Sequence, residues 1–361
     1  MTRDTSVYLD AVRFAAAVAV LLSHAEDGWV PGLLPGVSHL GPAAVAVFFV
    51  LSGFVIGYAV DARERDAASY AVNRAARLYS VVVPCLLLTV ALDTLGRHLG
   101  LAAYQLDWTR HFGSAREPLD AAISLLFVNE AWGWGLVPGS NVPFWSLGFE
   151  VPYYAVFGLA VFLPGAWGWA AAGLVLLAAG PMVAAMFPLW LLGWGTYRLG
   201  QRAPLGRGAA RALWCGAAIL WLGSEAVRWH FHIGWDGPIR RGWSLLWHSY
   251  VAGVPFAASI LAVRHAGVSL GAVARPVRWC AGATFTVYLL HYPVGFFLNA
   301  VVPAGWPPWG RWAAIVLATL LIAFAVASVS ERRKAAWRRA ILRGSAWLRT
   351  RRRAPAALGS P

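Results

Sequence analysis

Apolar stretches of 18 to 23 residues recur along most of the sequence. About 20 residues of α-helix cross the ~30 Å hydrocarbon core of a bilayer, and a lipid-embedded backbone must satisfy its own hydrogen bonds. The pattern therefore predicts an all-α, polytopic helical bundle embedded in a membrane. Spans are expected at about 6–25, 41–60, 78–97, 144–163, 165–180, 181–198, 209–227, 243–264, 280–302 and 310–330. Gly-Pro and Phe-Pro breaks make the two spans between 164 and 199 short. Composition agrees: 13% of residues are charged, against about 25% in soluble domains. That excludes a soluble α/β enzyme. The 21 Trp suit the headgroup region of a bilayer.

The basic residues orient the bundle. With both termini in the cytoplasm, 22 Lys and Arg fall in inner segments and 7 in outer ones, as the positive-inside bias requires. An even span count places both ends on one side, so ten spans and the charge bias agree. Glu26 and Asp27 follow the first stretch where a signal peptidase would need small residues, so the first span is expected to be retained. The net charge of +14 sits in short loops and a tail, with no soluble domain to bind nucleic acid. Residues 1–330 read as one transmembrane domain and 331–361 as a basic cytoplasmic tail. That tail is expected to form an amphipathic membrane-surface helix with a disordered end. The longest loop, about 98–143, lies outside. Cys85, Cys215 and Cys280 show neither paired nor metal-binding spacing, so neither a disulfide nor a metal site is expected.

Ionisable groups inside spans are costly, and here they are few. Arg13 and His24 share the first span, YLDAVRFAAAVAVLLSHAE, eleven residues apart. On a helix they lie on one face, separated by about 16 Å of rise. Arg13 equally suits pairing with Asp10. Glu150, in FWSLGFEVPYY, is expected about two turns deep, at the level of His24, where a carboxylate could orient the imidazole; Pro152 follows it. Arg74 and Arg77, three residues apart before the third span, match phosphate oxygens or simply anchor the helix. His291 lies near the middle of the ninth span. The run FFVLSGFVIGY is expected to let two helices approach closely.

Five segments in order resemble the membrane-bound acyltransferase-3 family. YLDAVRFAAAVAVLLSHAE is similar to its LDGLRG…H opening, and FFVLSGFVIGY to its second-span motif. RAARLY is similar to its arginine motif, FWSLGFEVPYY to WSLxxExxY, and TFTVYLLHYPV to SYxxYLxHxP. Departures are Ala-Val-Arg-Phe around Arg13, Tyr79-Ser80 after the arginines, and a proline delayed to Pro84. The resemblance implies a ten-span enzyme of the bacterial inner membrane. It would move an acyl group, acetyl by expectation, from acyl-CoA to a hydroxyl of a carbohydrate or glycosylated acceptor. It implies His24, Arg13 and Glu150 as catalytic, Arg74 and Arg77 as acyl-CoA-binding, and Tyr154 and His291 as substrate-binding. From the residues alone, a proton-coupled secondary transporter using Asp10, Arg13, Glu150 and His291 remains open, as does a non-catalytic scaffold.

Overall fold

A computed structural model describes residues 1–202, 204–230 and 238–353. Among these residues every regular element is helical. The long helices are α1 (Arg3–His24), α2 (Leu40–Ala62) and α3 (Ala67–His98). After the short α4 (Glu117–Ser124) come α5 (Leu147–Phe162), α6 (Gly165–Ala179), α7 (Pro181–Arg202), α8 (Arg207–His230) and α9 (Pro238–Val263). The bent pair α10 (Ala274–Ala281) and α11 (Thr284–Val301) follows, then α12 (Pro308–Val329) and the tail helix α13 (Lys334–Arg353).

A helix underlies each of the ten apolar stretches, with α10 and α11 sharing the ninth. Among the described residues, six helices are long and apolar enough to cross a membrane by themselves. The number is seven if α11 and the segment before it, bent by 47°, form one span. The others fall short for visible reasons. α6 has 15 residues, and α8 carries Arg211 and Glu225 along its length.

α2 and α7 cross most intimately, and glycine permits it. A Cβ on Gly53 would collide with the carbonyl oxygen of Trp190, and one on Gly193 with that of Val50. The close approach expected at FFVLSGFVIGY is therefore realised reciprocally. It buries Trp190 completely and brings its indole Nε1 to Ser52 Oγ at 3.1 Å. Gly193→Ala should cost about 1–3 kcal/mol, the usual penalty for overpacking, read as a lower melting midpoint of the purified protein. An unchanged midpoint would mean the helices do not touch here.

The 98–143 loop is folded. Tyr104 and Phe112 pack on Phe296 of α11 with ring centroids 5.0 and 5.5 Å apart. Asp93 near the end of α3 accepts from Ser140 N at 2.6 Å and Ser140 Oγ at 2.7 Å, tying the loop's end to the bundle. Glu117 accepts from the Gly113 amide. Burial, reinforced by the Asp93 carboxylate, pushes Glu117 up to about 8.

The tail forms a helix, as expected, and it packs along α3. Arg338 Nε donates to Asn73 Oδ1 at 2.9 Å. The disordered end expected beyond it falls on 354–361, outside the described residues, as do 231–237 of an expected outer loop.

Candidate active site

α1, α3 and α11 begin at the same end of the bundle at which α12 finishes, and there they surround a cavity. Its polar wall holds Arg13, Arg74, Arg77, Glu150, Tyr154 and Glu331. α2 supplies an apolar wall that includes Phe48 and Val55. Five of the seven residues singled out from the sequence thus share one chamber, although they lie on three helices up to 141 residues apart.

The charges in the chamber are not equivalent. Arg13 meets Asp10 one helical turn away, N to O 3.4 Å. Arg74 pairs with the buried Glu64 and lies over the rings of Tyr70 and Tyr154, at 5.3 and 5.9 Å from their centroids. Arg77 has no such partner: among the described residues no carboxylate contacts it, although Glu150 and Glu331 act on it electrostatically.

Glu150 sits in the first turn of α5, where a helix N-terminus favours an anion. Its Oε1 accepts from Ser52 Oγ at 2.8 Å and from the Tyr154 hydroxyl. Trp190 Nε1, Ser52 and Glu150 thus form a relay in which each donor has a partner. The sequence reading put Glu150 level with His24 as its orienting partner; in the structure the two do not meet. The chain between α4 and α5 turns inward through Val142–Ser146, so α5 starts within the bundle, and Glu150 shares the chamber with Arg13 and Arg77.

His24 has a different partner. It ends α1 just before a wide π-turn at Ala25–Trp29, a rare local structure frequent at functional sites. Glu26 braces the turn by accepting from the amides of Gly32 and Leu34 at 2.6 and 2.9 Å. The His24 ring stacks on His291 with centroids 5.2 Å apart and meets Tyr292 edge-on at 5.0 Å. His291 Nδ1 lies 2.7 Å from the carbonyl oxygen of Tyr288. A carbonyl only accepts, so Nδ1 carries the proton and Nε2 presents its lone pair. Among the described residues, that Nε2 is buried without a partner. Tyr288 links the two regions: it lines the chamber, and its ring centroid is 6.1 Å from that of His291.

Glu331 was missed by the sequence reading. It accepts from Phe285 N, Thr286 N and Thr286 Oγ1 at 3.3, 3.0 and 3.0 Å, capping the start of α11. It lies one residue beyond the last apolar span, so intramembrane charge does not mark it. Ser52 and Tyr288, which carry no charge, left no signal of that kind.

A family model described as an acyltransferase domain matches residues 6–328. The chain belongs to the acyltransferase-3 family. Curated relatives include an O-acetyl transferase of Shigella phage Sf6, 30% identical over 42% of this chain and 45% of its own length. The exopolysaccharide production protein ExoZ of Rhizobium meliloti is 32% identical over 36% of this chain and 37% of its own. The acyltransferase MdmB of Streptomyces mycarofaciens is 30% identical over 42% and 38%. The chain spans less than half the length of each of these relatives. No solved structure matches it.

Proposed function

We propose that the chain is a membrane O-acyltransferase that moves an acyl group, acetyl by expectation, from acyl-CoA to a hydroxyl of a carbohydrate or glycosylated acceptor. The observation that carries this reading is the chamber. Cations, an apolar wall and, past Tyr288, two imidazoles lie in succession. Family membership supports the reaction class, and relatives named for O-acetyl transfer and exopolysaccharide production support the acyl group and acceptor. In this reading the chain crosses the bacterial inner membrane ten times, with both ends in the cytoplasm, and the arginine-lined mouth faces the cytoplasmic donor.

The donor's phosphates stay at the cationic mouth while its thin pantetheine arm runs along the apolar wall toward the histidines. The acceptor hydroxyl attacks the thioester carbonyl as His24 removes its proton. The C–S bond then breaks, CoA leaves as a thiolate, and the proton on His24 returns to that sulfur. Tyr288 and Ser52 offer hydroxyls along the route. Glu150 serves as a positioning carboxylate that orients Ser52 and Tyr154. His291 holds the acceptor through its Nε2 lone pair, and Tyr154 lines the donor path.

Membrane vesicles of defined orientation test both the reaction and its sidedness. Inverted vesicles given labelled acetyl-CoA should transfer label to membrane glycans or glycolipids, and right-side-out vesicles should not. Absence of labelled product in either orientation, in vesicles from cells that carry the acceptor, would overturn the enzymatic reading. Transfer in right-side-out vesicles alone would reverse the topology.

A further inference from the structure

The chamber's cations are largely spoken for. Asp10 holds Arg13 and Glu64 holds Arg74, which leaves Arg77 as the one chamber arginine without a carboxylate contact among the described residues. A nucleotide thioester carries a diphosphate and a further ribose phosphate, more negative charge than one guanidinium balances. Ten of the chain's 30 Lys and Arg lie in 331–353, beyond the last residue matched to the family.

We propose that the start of this tail helix completes the donor site, with Lys334 and Arg338 joining Arg77 to bind the phosphates of the nucleotide end of the donor. The inference rests on the reading that the donor is acyl-CoA.

Three features place the tail there. Glu331 forms part of the chamber wall and is pinned to the first turn of α11 by three hydrogen bonds, so the chain leaves the bundle at the cavity's edge. Lys334 follows one turn later, is exposed, and has Arg77, Glu331, Arg13 and Asp10 as its electrostatic neighbours. Arg338, another turn on and also exposed, spends its Nε on Asn73, the residue before Arg74. Asn73 in turn donates to Glu64 Oε1 at 2.9 Å, the oxygen that also takes Arg74. The register of the tail against the arginine-bearing turn of α3 is therefore set by side chains and not by general attraction to a surface.

The terminal nitrogens of Arg338 and the ammonium of Lys334 meet no carboxylate among the described residues. Three cations with no direct carboxylate partner, two of them within the field of Glu331, leave donors free for an anion, and guanidinium forks match phosphate oxygens. Phosphate has two sources here: the donor nucleotide and the headgroups of anionic lipids, which attract juxtamembrane basic segments.

The full chain, purified in phospholipid-free detergent, separates them. Dissociation constants would be measured for CoA, 3′-dephospho-CoA and pantetheine with wild type, with K334Q/R338Q, and with R275Q, which alters an exposed arginine of α10 that does not line the chamber. The double variant is expected to bind CoA at least about tenfold more weakly, as loss of charge-assisted contacts implies, with pantetheine binding unchanged and R275Q equal to wild type. An equal loss for CoA and pantetheine, or none, would overturn the proposal. So would a double variant that binds CoA like wild type but no longer binds a short-chain anionic phospholipid added to the detergent, which assigns the tail to headgroups. If wild type itself binds no CoA, the donor reading has failed, a result distinct from any defect of the tail.

Discussion

His24→Ala is expected to leave the bundle folded and donor binding intact while lowering kcat by at least about two orders of magnitude. The estimate is the usual contribution of a positioned base, about 10²–10⁴-fold. Folding should survive because the ring is only half-buried, and its neighbours are two other rings, His291 and Tyr292, with no ion pair to orphan. No carboxylate touches this ring among the described residues, so nothing holds it permanently charged. His24→Gln keeps a hydrogen-bonding side chain but no base and should be nearly as inactive as Ala. Activity measured with labelled acetyl-CoA, beside melting curves, decides the matter. A Gln variant with most of its activity would make His24 a positioning residue. The base would then be His291, whose Nε2 lone pair already lies buried and unpartnered beside it.

That alternative shows how far residue spacing carries. The helical bundle and the close approach at Gly53 were readable, because span periodicity and small residues leave strong signals; that Arg13, Arg74, Arg77, Glu150 and Tyr154 belong together was implied by the family resemblance, and all five line one cavity. The partnerships were not readable. His24 and His291 stack although 267 residues separate them, and no local pattern announces a contact between α1 and α11. Glu150 was assigned the wrong neighbour because its depth was counted from Pro143 as though α5 entered straight from the membrane face. The inward turn at Val142–Ser146 shifts that origin. Glu331 escaped because its role, capping α11, exists only once α12 has delivered it there.

The two arginines of α3 should fail in opposite ways. Arg74→Ala is expected to destabilise the protein by about 3–5 kcal/mol, the cost of stripping the partner from a buried ion pair. Glu64, only 3% exposed, would be left with Asn73 alone to hold it, and among the described residues its second oxygen is already buried without a partner. Arg77→Ala orphans no carboxylate, so its melting midpoint should stay near that of wild type. Its loss should instead weaken CoA binding, each charge-assisted contact being worth about 1.5–3 kcal/mol. Denaturation midpoints and CoA dissociation constants for both variants make the comparison. The double variant E64Q/R74M, which removes both charges and keeps the bulk, should recover much of the stability lost by Arg74→Ala. If Arg77→Ala proves the unstable variant while Arg74→Ala folds normally and loses the donor, the charge assignment is inverted. Arg74 would then have to release Glu64 when the phosphates arrive.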